Sequence, residues 1–120
     1  MDVVARNVID RNGEGVIFSR TSSGNVVEHN VISHSRLRWN LEDWELTGTS
    51  NVARRNCVWT TRLDSYARNG GIQPSPDFAV AANLIADPNY IDRDGAHDYR
   101  LRLSSPCLDA YISPFVTPGS

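Results

Sequence analysis

The 120 residues suffice for one domain, and a composition that is 40% hydrophobic and 22% charged is globular. No stretch approaches the ~18 apolar residues of a membrane helix, so no membrane partner is expected. A net charge of −2 excludes a nucleic-acid binder that works through bulk positive charge.

The opening Met-Asp-Val-Val-Ala-Arg lacks the basic flank and apolar run of a secretory signal, so the default expectation is a cytoplasmic protein, with location otherwise unknown. All twelve basic residues are arginines, yet ten asparagines remain in a chain without lysine. Their placement shows why. Four segments align without gaps: Asp2-Val-Val-Ala-Arg-Asn-Val-Ile9, Asn25-Val-Val-Glu-His-Asn-Val-Ile32, Asn51-Val-Ala-Arg-Arg-Asn-Cys-Val58 and Phe78-Ala-Val-Ala-Ala-Asn-Leu-Ile85. They begin 23, 26 and 27 residues apart, and the sixth column is Asn7, Asn30, Asn56 and Asn83. The two columns after it are apolar, and the second and third columns are Val or Ala throughout.

An apolar pair, a polar step ending in Asn and a second apolar pair read as strand, tight bend, strand. Asn tolerates the left-handed backbone that such a bend requires. If successive repeats stack at the strand spacing of ~4.8 Å, their side-chain amides form a ladder and the β-branched columns a continuous core. A third strand per repeat is expected in Glu14–Phe18, within Leu37 to Thr47, and in Gly70–Gln73, with polar turns at 21–24, 48–50 and 74–77.

The Asn-apolar-apolar repeats resemble right-handed parallel β-helix proteins, the pectate-lyase-like superfamily. The tail is also similar, from Ala86-Asp-Pro-Asn-Tyr-Ile-Asp92 through Asp98-Tyr-Arg-Leu-Arg-Leu-Ser-Ser-Pro-Cys-Leu-Asp-Ala110. The resemblance, to the C-terminal coils of a larger member, implies an all-β fold. It would be a short right-handed parallel β-helix, a single-stranded solenoid of four to five coils. Residues 1–86 would form the repeat coils and 87–120 an irregular closing segment, within one domain spanning 1–120. Family members generally carry more coils and an N-terminal cap. A first layer without one exposes unpaired backbone above Val3, Val4, Val8 and Ile9, so a homo-oligomer is expected.

In that family a shallow groove beside the coils binds polysaccharide. The matching stretch is Arg36-Leu-Arg-Trp-Asn-Leu-Glu-Asp-Trp-Glu45. Trp39 and Trp44 offer flat stacking surfaces, and Arg38, Glu42, Asp43 and Glu45 offer polar contacts to hydroxyl or uronate groups. The leading expectation is therefore a non-catalytic module that binds carbohydrate or a protein partner. The alternatives are a small polysaccharide-active lyase or glycoside hydrolase, or a structural fragment whose only activity is assembly.

Hydrolysis requires two carboxylates on opposite sides of a bond, so Glu42, Asp43 or Glu45 would need a partner such as Asp64 or Glu14. No paired-Asp motif and no Arg-x-Pro-x-x-Arg pattern is present, and no catalytic residue is assigned. His29 reads as an exposed turn residue, and His34 as the only histidine able to approach the Trp39–Glu45 segment. Asp92-Arg-Asp-Gly-Ala-His-Asp98 superficially resembles a calcium loop but lacks its distal Glu, and reads as a turn before a strand at Tyr99–Leu103. Neither metal nor cofactor is expected. Two cysteines are too few for a disulfide scaffold and lack zinc-site spacing; Cys57 reads as a buried small hydrophobe, Cys107 as packed in the tail, and a bond between them as improbable.

Overall fold

The structure, a computed structural model, describes residues 2–19, 22–80 and 82–108. Each aligned segment folds as two short strands around its Asn. They are β1 (Val3–Ala5) and β2 (Val8–Asp10), β4 (Val26–Glu28) and β5 (Val31–Ser33), β7 (Asn51–Arg54) and β8 (Cys57–Trp59), and β9 (Phe78–Ala79) and β10 (Leu84–Ile85). Between them lie β3 (Val16–Phe18) and β6 (Leu41–Asp43), and the tail contributes β11 (Tyr90–Asp92) and β12 (Asp98–Leu101).

The first strands of the repeats join in one parallel sheet, β1-β4-β7-β9, and the second strands in another, β10-β8-β5-β2. The sequence columns are the register: Val4 pairs with Val27 and Val27 with Ala53, while Ile9 pairs with Ile32 and Ile32 with Val58. Val27, Ile32, Ala53 and Val58 are fully buried and pack with Phe18, Leu41, Ile72 and Phe78 in one core. Each buried Val, Ile, Leu or Phe side chain contributes roughly 1.5–3 kcal/mol when removed from water. Phe18 and Phe78 meet edge to face with centroids 5.1 Å apart.

The expected right-handed parallel β-helix of four to five coils is corrected. Among the described residues the strands fall into four separate sheets: the two above, the parallel pair β3-β6 and the antiparallel pair β11-β12. Among the described residues no closed solenoid forms. The reason lies on the third side, where the segments between repeats do not repeat one another. The β3-β6 pair continues only as a single bridge between Leu41 and Ile72, and 3-10 turns at Trp44–Leu46 and Ser65–Gly70 interrupt the chain. The tail then reverses direction as a hairpin instead of adding a parallel layer.

The bend itself also differs from expectation. The left-handed residue is not Asn but the one before it: Arg6, His29, Arg55 and Ala82 have φ of 58°, 57°, 55° and 61°. With the preceding residue absorbing the turn, each Asn directs its amide along the stack. Asn7 donates from its backbone N and Nδ2 to Asn30 Oδ1 at 2.9 and 3.1 Å. Asn30 does the same to Asn56 at 3.0 and 3.0 Å, and Asn56 to Asn83 at 3.1 and 2.9 Å. A second, shorter column runs beside it: the backbone N of Asp2 donates to Asn25 Oδ1, and Asn25 donates twice to Asn51 Oδ1 at 3.1 and 3.2 Å.

The tail packs on the outer side of the second sheet, where Tyr90, Leu101 and Cys107 bury against Val31 and Cys57. The improbable bond is present. Cys57 and Cys107 form a disulfide with their Cα atoms 5.5 Å apart, fastening the tail to the stack across 50 residues of sequence. Tyr90 places its hydroxyl 2.8 Å from Ser33 Oγ, and burial drives its pKa well above the ordinary phenol value. The part of the closing segment beyond Leu108 lies outside the described residues. Among the described residues no helix is long and apolar enough to cross a membrane.

Candidate binding face

Arg38 organises the stretch singled out by sequence. Its Nε and Nη2 donate to Glu42 Oε1 and Oε2 at 2.9 and 3.0 Å, a two-pronged clamp across one turn of chain. The Glu42 side chain is fully buried, whereas Arg38 keeps 37% of its side chain exposed. Glu14, on the turn before β3, approaches from the neighbouring layer with Oε2 at 3.9 Å from Arg38 Nε. That oxygen is buried and accepts no hydrogen bond. Burial, reinforced by the adjacent Glu42 charge, raises the Glu14 pKa above the ordinary carboxylate value.

Aromatic rings sandwich the clamp. The Arg38 guanidinium carbon lies 5.1 Å from the Trp44 ring centroid and 5.8 Å from that of Tyr66. The Arg62 guanidinium stacks on the same Tyr66 ring at 5.0 Å, and Trp39 meets Tyr66 edge to face at 5.2 Å. Trp44, Arg38, Tyr66 and Arg62 thus form an alternating aromatic–cation ridge whose members are all partly exposed. Arg62 is itself anchored: it holds Asp64 through Nε at 3.0 Å and Nη2 at 2.6 Å, and its Nη1 donates to the carbonyls of Ser35 and Arg36. The Arg62 contact holds the Asp64 carboxyl below its ordinary pKa.

The other predicted contacts separate. Trp39 is 8% exposed and serves as packing beneath Tyr66 rather than as a flanking surface. Asp43 is buried and fastens a loop, accepting from Gly48 N at 2.9 Å and Ser75 Oγ at 2.6 Å. Gly48 is required there, because a Cβ would stand 2.5 Å from Asp43 Oδ1. Glu45 is exposed and left-handed, at φ 59° in the 3-10 turn. The face predicted from Arg38, Trp39, Glu42, Asp43, Trp44 and Glu45 is therefore reduced to Arg38 and Trp44, with Glu45 at its margin.

Of the two acids suggested as partners, Glu14 meets Glu42 and Asp64 does not, being tied to Arg62. Tyr66 and Arg62 were not foreseen; the interleaving of Arg62, Asp64 and Tyr66 was the available signal. Asn40 was also missed. It is buried beneath the ridge, accepting from Ser35 Oγ at 2.7 Å and donating to the carbonyls of Trp59 and Gly70 at 3.0 and 2.7 Å.

His34 does not join the face. It is half-buried beside a separate open cleft of about 460 Å3, where burial and then the Arg93 charge lower its pKa. In the Asp92–Asp98 loop, Asp92 closes the turn, accepting from the backbone N of Gly95 and Ala96, both at 3.0 Å. Asp98 is paired with Arg100, which lowers its pKa to about 2. Among the described residues no cluster of His, Cys, Asp and Glu is arranged to hold a metal ion.

Compared with protein-family models, curated proteins and solved structures, the chain gives no match, and nothing in those comparisons bears on its resemblance to pectate-lyase-like proteins.

Proposed function

We propose that this protein is a non-catalytic module that binds carbohydrate across the Trp44–Arg38–Tyr66–Arg62 ridge. The observation that carries the reading is the ridge itself: two partly exposed rings held in fixed positions by stacked, ion-paired arginines. Rigid rings lose little conformational freedom when a sugar face covers them, and arginine edges donate to hydroxyls. Binding is favoured over polysaccharide cleavage because two of the acids in the stretch, Glu42 and Asp43, are already committed. Both Glu42 oxygens accept from Arg38, and both Asp43 oxygens fasten its loop.

The test is a titration of tryptophan emission with neutral and uronate-containing oligosaccharides. Binding that W44A weakens about tenfold, a loss of ~1.4 kcal/mol, supports the reading. Oligosaccharides that leave the emission unchanged, or that bind W44A equally well, contradict it.

Self-association is a second element of the reading. Val3 and Ile17 at one end of the stack, and Leu84 and Ile85 at the other, are 40–53% exposed. Among the described residues each edge strand of the two large sheets pairs on one side only. Open parallel edges recruit further strands, and a mass independent of concentration in light scattering contradicts this part. The disulfide supports a setting oxidising enough to keep it, in place of the cytoplasm.

A further inference from the structure

The open cleft on the far side of Arg62 has a chemistry of its own. Four arginines line it, Arg11, Arg36, Arg62 and Arg93, together with Thr60 and Thr61. Three of the four are already answered. Asp10, whose side chain is 2% exposed, lies between Arg11 and Arg93, accepting from Arg93 Nε at 2.8 Å with Arg11 Nε at 3.7 Å. Asp94 pairs with the same two arginines. Asp64, which also lines the cleft, is neutralised by three contacts from Arg62 at 3.0, 3.2 and 2.6 Å.

Arg36 is different. Its backbone is pinned on both sides, N donating to Asn12 O at 2.8 Å and O accepting from Arg62 Nη1. Its guanidinium has no side-chain partner among the described residues. Thr60 Oγ1 accepts from Arg62 N at 3.1 Å, which leaves its hydroxyl proton free to be donated.

We propose that this cleft is a binding site for a tetrahedral oxyanion, a phosphate or sulfate group, with Arg36 as its principal cation and the Thr60 and Thr61 hydroxyls as further donors. An arginine fork and two adjacent hydroxyls supply donors in several directions, which suits a group with three outward oxygens better than a planar carboxylate. The cleft is larger than one such anion, so the group is carried on a larger molecule, as an ester. The site is independent of the carbohydrate reading, because none of its donors belongs to the ridge; Arg62 alone touches both, and its charge is taken by Asp64.

Isothermal titration of the whole chain with inorganic phosphate, inorganic sulfate and a hexose monophosphate tests the site. R36A removes a side chain that holds nothing else, so the fold survives, as circular dichroism will verify. Binding should weaken roughly tenfold to a hundredfold in R36A, the loss of one or two charge-assisted hydrogen bonds. It should weaken less in T60V, and remain unchanged in W44A and in R54A, whose arginine pairs with Glu28 elsewhere. Tighter binding of the ester than of inorganic phosphate supports a carried group, and equal binding assigns the site to the free anion. Absence of binding at millimolar concentrations, or equal binding by R36A, overturns the proposal.

Discussion

Two polar regions of this small fold are satisfied in opposite ways. In the Asn7–Asn30–Asn56–Asn83 column each amide bonds to a copy of itself, so one residue type solves the same problem in every layer. In the Arg38–Glu45 stretch nothing repeats: Glu42 depends on Arg38, Asp43 on Gly48 and Ser75, and Asn40 on Ser35, Trp59 and Gly70. The repeated solution builds a stack. The unrepeated one leaves rings and guanidinium edges at the surface, where a ligand can meet them.

The comparison breaks most visibly in the middle of the column. Asn56 accepts two bonds from Asn30 and donates to Val27 O, all buried, and donates to the partly buried Asn83 Oδ1. N56A strands these partners together and should cost about 3–5 kcal/mol in chemical denaturation. N7A, at the exposed end where only one neighbour is lost, should cost about 1 kcal/mol. Equal costs would mean that the column does not act as a ladder.

Next in size is the fastening of the tail. Replacing Cys57 and Cys107 together by Ala releases a long loop and should cost roughly 2–4 kcal/mol under oxidising conditions, with no effect on the parent protein's stability order once it is reduced.

On the other side the effects are smaller and depend on pH. R38A leaves Glu42 buried without its cation, but because Arg38 is more than a third exposed the cost should be only about 1–2 kcal/mol. Glu14 carries the sharper test. Its folded pKa is raised, so the folded state holds the proton more tightly than the unfolded chain. Stability conferred in this way is fully present in acid and declines as pH rises from the ordinary carboxylate range through the raised value. E14Q should remove that decline and be at least as stable as the parent at neutral pH. A parent-minus-E14Q stability difference that rises through the same interval contradicts the assignment.

What could be read in the sequence follows the same division. The strand pairs, their register and the Asn ladder were legible, because a column that recurs at each layer is one interaction written several times. The Asn25–Asn51 column was harder to see, since Asp2 and Phe78 interrupt it at both ends. The closure of the windings was misread because the third side has no repeating residues to align, and its insertions fold into 3-10 turns instead of strands. Glu42 and Asp43 read as polar contacts for a ligand; they are buried because β6 lies beneath Arg38 and the loop containing Gly48 and Ser75. The disulfide left no local signal, because two cysteines 50 residues apart become neighbours only when the tail folds back over the second sheet.

The separation of stack from recognition face is tested most directly by nuclear magnetic resonance of the labelled protein during an oligosaccharide titration. The account predicts shifts confined to the Trp44 indole, the Arg38 and Arg62 side chains and Tyr66, while the side-chain amides of Asn30 and Asn56 stay in place. Shifts centred on the asparagine columns, with the ridge unaffected, would contradict it.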